Sequence, residues 1–578
     1  MKGFLKYIRA AGLGLTFAAT VLLSSCSKSN SDGIEDQAVP GVNAAANADG
    51  NYNIVFITTD QEHYFSEFPE GTSYKARTLL MEMGTTFEKH YACATMSTSS
   101  RSVIYTGTHI TDTRMIDNTD YTWQEALSED LTTVGDLMTE AGYYVAYKGK
   151  WHMGDESMLF ESTEPEQQQQ DGLEGYGFHD WNAEGDITGE AYDGYESDAY
   201  IAGGAVGWLR TTGRQQNQAG TSFFLAVNLV NPHDIMYFNT DREGENVQNT
   251  GQTSLEIFGA PDNELYRTTY PEAPIPSTWN EPIDAEGRVA AHMEYYLLWN
   301  RRVGTIPSEE ERWERFRDYY YNCIQDNDNS LMDILQEIIN LGMLDNTIIV
   351  FTSDHGETQG SHGLRGKGGF IYESNIHVPL IICHPEYEGG QSIDAVTSHI
   401  DLATTFVDMT GLSDERKSEL TAGLSGGSLL DLMDGSETRI RSGALFAFEM
   451  VSMIDSDMSG EMDEEGNIVH IHIDFTKRAF VRGITTERYK FARYFSALEF
   501  NAPANLEELF ARNDVELYDL ENDPDELVNL AADPEENADL ILKLNSMLNE
   551  LIEREIGMDD GQEVEMIIQS MWSGDADG

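Results

Sequence analysis

Residues 53–60 read Asn-Ile-Val-Phe-Ile-Thr-Thr-Asp, and this stretch decides the fold. The run Ile54–Ile57 consists of β-branched and aromatic side chains without polar alternation. Such a run is typical of a strand that is buried on both faces, as the strands of parallel sheets are. Asp60 ends the stretch, so the sequence predicts a carboxylate at the carboxyl end of a buried strand.

Apolar runs of the same kind recur along the chain and alternate with helical patterns. This alternation predicts an α/β fold, in which helices sandwich a large mixed, mostly parallel sheet. Functional side chains gather at the carboxyl ends of strands in such sheets. Asp60, Lys148–His152, His233, Asp354 and His355 all follow predicted strands. The predicted strands are Asn53–Thr59, Tyr143–Tyr147, Ser222–Leu229, Thr347–Thr352 and Val378–Cys383, and the predicted helices are Leu131–Ala141 and Glu309–Leu341.

The pattern changes after about residue 439, where short strands resembling those of a smaller sheet precede a long helix. We therefore expect one α/β domain over residues 52–438 and a smaller C-terminal α+β domain over residues 439–578. The elements of this second domain are Ala444–Phe448, Phe480–Thr485, Tyr489–Tyr494 and the helix Pro534–Ile556.

Two stretches of the larger domain have the composition of loops. Residues 155–201 are rich in Asp and Glu and lack Lys and Arg, which indicates a solvated insertion rather than a metal site. Residues 236–285 are irregular in pattern. We expect these stretches to shape the substrate preference.

The chain is strongly acidic. Its 100 Asp and Glu against 36 Lys and Arg give a formal net charge of −64. Such a chain repels nucleic acid and anionic membrane surfaces, so neither is an expected partner. An anionic substrate would have to bind in a local positive pocket.

The N-terminus has the pattern of an export signal. A basic start is followed by an apolar stretch from Ala10 to Leu23 that is too short for a confident membrane span. Leu23-Ser24-Ser25-Cys26 resembles a bacterial lipobox, which implies cleavage after residue 25 and lipidation of Cys26. An ordinary secretory peptide is the alternative. We expect a lipoprotein signal peptide over 1–25, a flexible tether over 26–51, and an exported periplasmic or outer-membrane lipoprotein of a Gram-negative bacterium that touches the membrane only through its lipid anchor.

Three further cysteines are scattered through the sequence. They are Cys93, Cys323 and Cys383, and they do not form a disulfide framework. We expect buried, unreactive thiols.

Two residue pairs at predicted strand ends are candidate metal ligands. Asp60-Gln61 and Asp354-His355 offer oxygen atoms and one imidazole, a set that suits Ca²⁺, Mg²⁺ or Mn²⁺. The alternative for each pair alone is a helix cap, because Asp often follows a strand in that role.

Four further segments carry polar side chains suited to an anionic site. Ser97 leads into a predicted helix, which places its oxygen near the positive end of the helix dipole, and Arg101 lies one turn further on. Lys150 and His152 lie in a glycine-bounded loop, and His233 and Lys367 follow later. Each alone has an ordinary structural alternative, so the argument rests on their joint occurrence in one order.

That order resembles the sulfatase family of the alkaline-phosphatase superfamily. The resemblance covers about residues 52–555 and makes residues 52–438 the expected catalytic domain. The matching segments are 53–61, Ser97–Arg101 with Tyr105-Thr106-Gly107, Gly149–Gly154, Asn231–Asp234, Thr352–Glu357, His362-Gly363 with Lys367, His377–Leu380, and the C-terminal Glu516–Leu520 with Asp523-Pro524 and Asn529-Leu530.

The resemblance implies a role for each matched residue. Ser97 takes the position that is oxidised to formylglycine, whose hydrated form attacks sulfur and later releases sulfate. Asp60, Gln61, Asp354 and His355, together with residue 97, match the ligands of one divalent metal. Arg101 would hold the nucleophile and metal-bound oxygens, and Lys150 and His152 would contact the nucleophile and sulfate, with His152 suited to proton removal. His233 and Lys367 would stabilise the leaving oxygen and sulfate, one of them as general acid.

The resemblance also implies partners and cofactors. The substrate would be a sulfated small molecule or glycan, and Ca²⁺ is the expected metal, with Mn²⁺ or Mg²⁺ as alternatives. A serine at position 97 requires an anaerobic sulfatase-maturating enzyme, acting before export.

Two positions depart from the usual sulfatase pattern. Ser99 stands where Pro or Ala is usual, and Gln61 replaces an Asp found in many arylsulfatases. The pairs Asp-Gln and Asp-His are more similar to choline sulfatases and phosphonate monoester hydrolases. The alternatives are therefore a phosphonate monoester or phosphodiester hydrolase, and a catalytically silent lipoprotein that binds sulfated polymers.

Overall fold

The computed structural model describes residues 46, 47, 50–121, 123–154, 172–182, 189–457, 459–462 and 468–572. The chain divides into two units, Met1–Val42 and Asn43–Gly578. The first unit lies outside the described residues, as do the lipidation candidate Cys26 and most of the predicted tether. Every element below belongs to the second unit.

The second unit is built on an eight-stranded sheet with the strand order β4-β3-β5-β1-β6-β7-β2-β8. Strand β7 is antiparallel to β6 and β2, whereas the other pairings described for this sheet are parallel. The strands are β1 Asn53–Asp60, β2 Thr85–Tyr91, β3 Tyr144–Gly149, β4 Asp180–Asn182, β5 Phe223–Pro232, β6 Thr347–Ser353, β7 Leu380–Cys383 and β8 Gln391–Ser398.

Strand β1 lies between β5 and β6, and its side chains pack on both faces of the sheet. Ile54 and Phe56 belong to one buried cluster, with residues of the helices over one face. Val55 and Ile57 belong to another cluster, with residues of the helices over the other face. The predicted α/β sandwich with a mixed, mostly parallel sheet is therefore confirmed.

The helices of the described residues cover both faces and follow the strands in sequence. The α-helices are α1 Lys75–Met83, α2 Ser97–Thr106, α3 Ile110–Thr113, α4 Val134–Glu140, α5 Asp193–Trp208, α6 Arg214–Ala219, α7 Ala290–Val303, α8 Glu310–Asn340, α9 Glu373–Ile376, α10 Asp401–Asp408, α11 Asp414–Leu420, α12 Leu430–Met433, α13 Leu506–Arg512, α14 Ala538–Glu555 and α15 Gln562–Trp572. A π-helical turn, Leu209–Gly213, joins α5 to α6, and short 3-10 turns include His233–Tyr237 and Ser361–Gly363.

A second, antiparallel sheet of four strands occupies the C-terminal part, in the order β14-β13-β12-β9. Apolar residues of this sheet pack against α14 in one cluster, for example Phe491 and Leu517 against Leu544 and Leu548. The strands are β9 Ala444–Phe448, β12 Arg478–Thr485, β13 Tyr489–Ser496 and β14 Asp514–Asp519, and a separate hairpin pairs β10 Ser459–Met462 with β11 Ile468–His472.

Most differences from the predicted elements concern their ends. Helix α4 begins at Val134, not Leu131, because Thr133 caps it by accepting a hydrogen bond from the Asp136 backbone N–H. The predicted strands at 143–147 and 222–229 end later, at Gly149 and Pro232, which brings them closer to the site.

The prediction that residues 155–201 form a solvated insertion is wrong for their described part. Strand β4 pairs with β3 at the edge of the main sheet, and α5 begins at Asp193. Asp198 on α5 is buried, and its carboxylate accepts hydrogen bonds from the backbone N–H groups of Val230 and Asn231. Most of the preceding residues, including Gln167–Gln170, lie outside the described residues.

The three cysteines predicted to be inert are buried and unpaired. Burial raises the pKa of Cys93 and of Cys383 to about 12, and it raises that of Cys323 as well. Thiols in this state are poor nucleophiles.

Candidate active site

The four central strands β3, β5, β1 and β6 bring the sequence-predicted polar residues to one edge of the sheet. Asp60 ends β1, and Asp354 directly follows β6. Lys150 follows β3, and His233 follows β5. Because these neighbouring strands are parallel, their carboxyl ends coincide, and the side chains meet there.

Asp60, Asp354 and His355 form a buried cluster whose ligand atoms all lie within 4.8 Å of one another. The His355 Nε2 atom lies 3.5 Å from Asp60 Oδ1 and 3.5 Å from Asp354 Oδ1. Its Nδ1 atom lies 3.1 Å from the Gly356 carbonyl oxygen, which assigns the ring proton to Nδ1 and leaves the Nε2 lone pair facing the carboxylates. Burial, with the charge of Lys367, lowers the pKa of His355 and keeps it neutral.

Gln61 lies beside this cluster and is a further candidate ligand through its side-chain amide oxygen. Its backbone has φ 76°, and its backbone N–H donates to Asp354 Oδ1 at 3.1 Å. The side-chain amide nitrogen donates to Glu357, which fixes the amide orientation. The opposite atom, Gln61 Oε1, is buried and has no hydrogen-bond partner among the described residues. An orphaned buried oxygen beside two carboxylates and a neutral imidazole fits a divalent cation.

Two cationic side chains contact the Oδ2 atoms of the two aspartates. Arg101 bridges them, with Nε 3.1 Å from Asp354 Oδ2 and Nη2 3.2 Å from Asp60 Oδ2. Lys150 Nζ lies 2.7 Å from the same Asp60 oxygen. Burial alone would raise the pKa of Asp60, but Lys150 and Lys367 outweigh it and hold that pKa well below its usual range. Burial and the neighbouring Asp60 charge raise the pKa of Asp354 to about 6.

Ser97 lies at the first position of α2, beside this cluster. Its Oγ lies 2.9 Å from Lys367 Nζ, 3.2 Å from His355 Nε2 and 3.3 Å from Asp60 Oδ1. The preceding Met96 has φ 71°, and this turn of the backbone directs the start of α2 into the cluster. Because the amide groups of the first helical turn point the same way, the serine oxygen lies at the positive end of the helix.

Lys367 connects the serine to the metal-ligand candidates. Its Nζ lies 2.9 Å from both Ser97 Oγ and His355 Nε2, and 3.6 Å from Asp60 Oδ1. Burial lowers the pKa of Lys367 to about 8, against the attraction of Asp60.

The two remaining predicted residues lie at the edge of the cluster. His152 has φ 56°, its carbonyl oxygen accepts a hydrogen bond from Thr98 Oγ1, and its Nε2 lies 3.8 Å from Asp120 Oδ1. His233 is buried, and burial together with Lys367 lowers its pKa. A Cβ atom on Gly189 would lie 2.6 Å from His233 Cε1, so a glycine is needed for that close approach.

Three supporting residues had no role assigned from the sequence. Asn228 accepts hydrogen bonds from Arg101, Thr58 and Tyr105 through one oxygen atom, Glu357 orients Gln61, and Asp120 faces His152. A signal for Asn228 is an amide that interrupts the otherwise apolar residues 223–230 of β5. Glu357 belongs to a matched motif, and nothing in the sequence pattern points to Asp120.

A cavity of about 630 Å³ opens beside this cluster. Lys367 and His233 contribute to its wall, as does Met96 next to the serine. The wall combines aromatic side chains with charged groups of both signs, and includes Tyr121, Tyr237, Phe258, Trp299, Asp120, Glu190, Glu256 and Arg302. The cavity is large enough for a small organic ligand.

Comparison with known families matches the sulfatase family model to residues 52–412 of this chain. The chain belongs to the sulfatase family. Arylsulfatase K of Xenopus laevis is 26% identical to it over 346 residues, which cover 60% of this chain and 54% of the relative. The chain thus spans about half the length of the curated relatives it matches first.

Solved structures of the same architecture include a 2-O GAG sulfatase, with a TM-score of 0.63, 18% identity and coverage of 88% of this chain and 93% of that chain. The phosphonate monoester hydrolase of Agrobacterium radiobacter has a TM-score of 0.58 and 20% identity, and covers 87% of this chain and 96% of its own. At these identities the likeness establishes the fold. Within the part of the chain that the structure describes, no helix is both long and apolar enough to cross a membrane.

Proposed function

We propose that this member of the sulfatase family is an exported hydrolase of sulfate esters. Its substrate is a sulfated small molecule or glycan. The nucleophile derives from Ser97 by oxidation to formylglycine, and a divalent cation is held by Asp60, Gln61, residue 97, Asp354 and His355.

The position of the Ser97 side chain carries this proposal. Its oxygen lies within 3.3 Å of Lys367 Nζ, His355 Nε2 and Asp60 Oδ1, at a helix N-terminus. A negatively charged oxygen at this position, and the anionic group that it attacks, would meet positive charge from Lys367, Lys150 and the helix dipole. This local field opposes the acidic field of the whole chain.

The chemistry needs two hydroxyls on the carbon of residue 97, which the hydrated formylglycine provides. One oxygen forms a bond to sulfur while the sulfur–oxygen bond of the ester breaks, and the alcohol leaves with a proton. The second hydroxyl then loses its proton, the aldehyde forms again, and the bond to sulfate breaks. An ordinary serine lacks the second hydroxyl and therefore this release step.

The chain's own cations and imidazoles divide the supporting tasks. Lys150 and Lys367 hold the sulfate oxygens, and Arg101 fixes the two aspartates. His152 suits removal of the proton during release, since its ring faces the Asp120 carboxylate at 3.8 Å. His233 lines the cavity and is neutral, so it suits hydrogen-bond donation to the leaving oxygen. Lys367 also lines the cavity, and its pKa of about 8 keeps it charged at neutral pH, so it suits proton transfer to that oxygen.

A divalent cation fits the ligand set. Two carboxylates, one orphaned amide oxygen and one neutral imidazole suit Ca²⁺, with Mn²⁺ and Mg²⁺ as the alternatives. When bound, the cation supplies positive charge next to the oxygen of residue 97 and to the sulfate group. The Lys367 contact to His355 Nε2 at 2.9 Å is a hydrogen bond that a ligand role for this imidazole would replace.

The cavity supports a glycan as substrate. Tyr121, Tyr237 and Trp299 provide flat apolar faces, and Asp120 and Glu190 provide hydrogen-bond acceptors for hydroxyl groups. The solved 2-O GAG sulfatase shares the fold. A sugar with one sulfate group combines these apolar, hydroxyl and anionic features.

Export and maturation rest on the sequence. The lipobox ending at Cys26 would make the protein a periplasmic or outer-membrane lipoprotein, attached to the membrane through a lipid on that cysteine. Oxidation of Ser97 by an anaerobic sulfatase-maturating enzyme would precede export. Because Ser97 is fully buried in the fold, the maturase would act on the unfolded chain.

Hydrolysis of phosphonate monoesters or phosphodiesters is the second candidate. The observation in its favour is the amide ligand candidate: Gln61 Oε1 supplies a neutral oxygen where many arylsulfatases have a carboxylate. An unmodified Ser97 supported by Lys367 would suit attack on phosphorus better than sulfate release.

The deciding experiment is mass spectrometry of the tryptic peptide His90–Arg101. The protein is produced in an anaerobic host with a serine-type maturase, and sulfate release from an aryl sulfate is measured on the same sample. A peptide lighter by two hydrogens, fragmenting at residue 97 and absent from Ser97→Ala, is expected.

Ser99→Ala is the matched control, because it removes a nearby hydroxyl that has no partner among the described residues. It should retain both the modification and the activity. An intact Ser97 in a protein that cleaves phosphodiesters faster than aryl sulfates would overturn the proposal in favour of the second candidate.

A further inference from the structure

A second cavity, of about 270 Å³, adjoins the active-site cavity. Trp299 lines both cavities, which meet at this residue. Arg365 lines the second cavity, two residues before Lys367, which lines the first. The remaining wall is largely aromatic and includes Trp279, Tyr295, Tyr296 and Trp313.

Arg365 is a buried cation without a carboxylate bonded to it among the described residues. Its Nη2 atom donates to the carbonyl oxygens of Gly304 and Val303, and to Asn300 Oδ1 at 3.4 Å. Its Nη1 atom is buried and has no hydrogen-bond partner in the described part of the chain. Burial lowers the pKa of Arg365 to about 10, although Tyr295 and the Glu357 carboxylate act against this shift without a hydrogen bond to the guanidinium.

The one acidic side chain lining this cavity is already neutralised. Glu281 lies 2.8 Å from Arg288 Nη2 and 2.7 Å from His362 Nδ1. It is therefore not available as a counter-ion for Arg365. A chain with a net charge of −64 has many carboxylates to offer, yet none within the described residues bonds to this guanidinium.

A second donor in the same wall is also unsatisfied. Trp299 is 4% exposed, and its Nε1 has no partner among the described residues. Gly366 keeps the backbone close to this indole, because a Cβ atom there would lie 3.3 Å from Nε1. Unpaired buried donors cost free energy, about 1–3 kcal/mol each, unless a ligand or water satisfies them.

We propose that this cavity is an accessory subsite for the anionic substituent, a sulfate ester or a carboxylate, of the sugar next to the one that is desulfated. Arg365 binds the anion, Trp299 donates to it, and the aromatic wall contacts the sugar ring. The sugar identity rests on the proposed function, whereas the anion site rests on the cavity itself.

The geometry explains why the two sites would act together. The chain runs from Arg365 through Gly366 to Lys367, so one short segment presents a cation to each cavity. An oligosaccharide with two anionic groups that passes Trp299 would engage both cations. A small aryl sulfate would engage only the first.

The test compares Arg365→Met with the unchanged protein on two substrates, an aryl sulfate and a heparin-derived tetrasaccharide. The variant should raise KM for the tetrasaccharide roughly tenfold, as expected for loss of one charge-assisted hydrogen bond. The kcat/KM for the aryl sulfate should stay within about twofold. Arg301→Gln is the control, since it removes an exposed arginine from the same region and should change neither value.

Binding to the Ser97→Ala protein separates this proposal from the proposed function. Affinity for the tetrasaccharide is measured by tryptophan fluorescence, which requires no catalysis. Carboxyl-reduced and desulfated tetrasaccharides identify which anion Arg365 binds, because only loss of the right anion abolishes the effect of Arg365→Met. Trp299→Phe, which retains the wall and removes the donor, should weaken binding as well.

Equal KM changes on both substrates, or tetrasaccharide binding that ignores Arg365→Met, would overturn the subsite and leave the sulfatase assignment standing. Binding that depends on Arg365 in a protein that releases no sulfate would leave the subsite standing and reject the proposed function.

Discussion

Two buried clusters in this protein each combine carboxylates, a histidine and a basic side chain, but they differ in how completely their polar atoms are paired. The site cluster consists of Asp60, Ser97, Asp354, His355 and Lys367. The interlock cluster consists of His109, Asp401, Arg441 and Glu555, and joins α14 to the segments around α3 and α10. All nine side chains are buried.

The carboxylates and the guanidinium of the interlock cluster satisfy one another, and only His109 Nδ1 among its atoms lacks a partner in the described part of the chain. Both Asp401 oxygens accept from Arg441, and they also accept the backbone N–H groups of Ser398 and Gly427. Glu555 receives Arg441 at 3.2 Å on one oxygen and has His109 at 3.1 Å from the other. Neither of the two cavities described above has these side chains in its wall.

The site cluster is open by contrast. Gln61 Oε1 beside it lacks a partner among the described residues, Ser97 Oγ has three polar neighbours, and Lys367 lines a cavity. Buried charge alone therefore does not identify a functional site. A closed network stabilises the fold, whereas an open network next to a cavity retains binding capacity for a ligand.

The largest expected effect is the loss of activity in Ser97→Ala. Sulfate release should fall by roughly 10⁴-fold or more, because no other group in the cluster can form the bond to sulfur. The free energy of unfolding should change by less than about 1 kcal/mol, since Ser97 shares its contacts with an open network. Chemical denaturation and sulfate release measured on one preparation check both statements. A large loss of stability would mean that Ser97 belongs with the interlock residues.

Glu555→Gln should show the reverse, a loss of stability with little direct effect on chemistry. Burial alone would raise the pKa of Glu555, but His109 and Arg441 lower it to about 2, from 4.5 for a free glutamate side chain. A lowered carboxyl pKa stabilises the fold above the unfolded-state value, and this stabilisation is lost as pH falls through the folded-state value. The stabilisation at pH 7 is about 3 kcal/mol.

Denaturation of Glu555→Gln as a function of pH tests this sign. The difference from the unchanged protein should be full at neutral pH, shrink below about pH 4.5, and vanish near pH 2. Glu553→Gln, an exposed position on the same helix, should change stability by less than about 0.5 kcal/mol at any pH. A pH-independent difference would show that the Glu555 charge is not what joins these elements.

Much of the fold follows from the sequence because the central strands are buried along their whole length and are built around apolar runs. Strands β1, β5 and β6 have uninterrupted buried runs, and the runs end where polar residues begin. Parallel topology then brings those polar residues together, which is why Asp60, Asp354 and Lys150 were expected at one edge.

The strands that the sequence pattern did not predict have polar side chains within them. Strand β2 contains Glu88, Lys89 and His90, and β8 begins with exposed polar residues, so neither shows an apolar run. Their pairing with each other is set by tertiary contacts. The same holds for Asp120, Gly189 and Arg365, whose importance comes from neighbours distant in sequence.

Gly189→Ala tests whether His233 belongs functionally to the site cluster. The added Cβ atom would lie 2.6 Å from the His233 ring and must displace it. A shift of about 1 Å in a group that donates a hydrogen bond to the leaving oxygen lowers kcat roughly 10²-fold. Gly142→Ala is the matched control, because Gly142 has a similar φ of 89°, against 99° at Gly189, and open space around its Cβ position. Equal kcat values for the two variants would exclude His233 from the reaction.

The smallest expected effect concerns Glu357, which connects the open cluster to closed surroundings. One of its oxygens accepts the backbone N–H groups of Gln359 and Gly366, and the other accepts the Gln61 amide. Glu357→Gln preserves the shape of the side chain but replaces one of the two accepting oxygens with an NH2 group. That group faces either the donating Gln61 amide or the donating backbone N–H groups, so one of these hydrogen bonds is lost. The orientation of the Gln61 amide, and with it the position of Oε1, is then no longer fixed by Glu357.

Removing such an orienting contact typically lowers metal affinity 10–100-fold. Because the oriented ligand here is a neutral amide, we expect Glu357→Gln to lower the affinity about tenfold, at the lower end of that range. Calcium affinity measured by calorimetry on metal-free protein gives this value without any turnover. Gln61→Ala should produce an equal loss, and the double variant should lose no more than either single change, since both remove the same oxygen. Additive losses would mean that Glu357 acts on the cation through its own charge. Glu357 would then belong to the open network rather than to its closed surroundings.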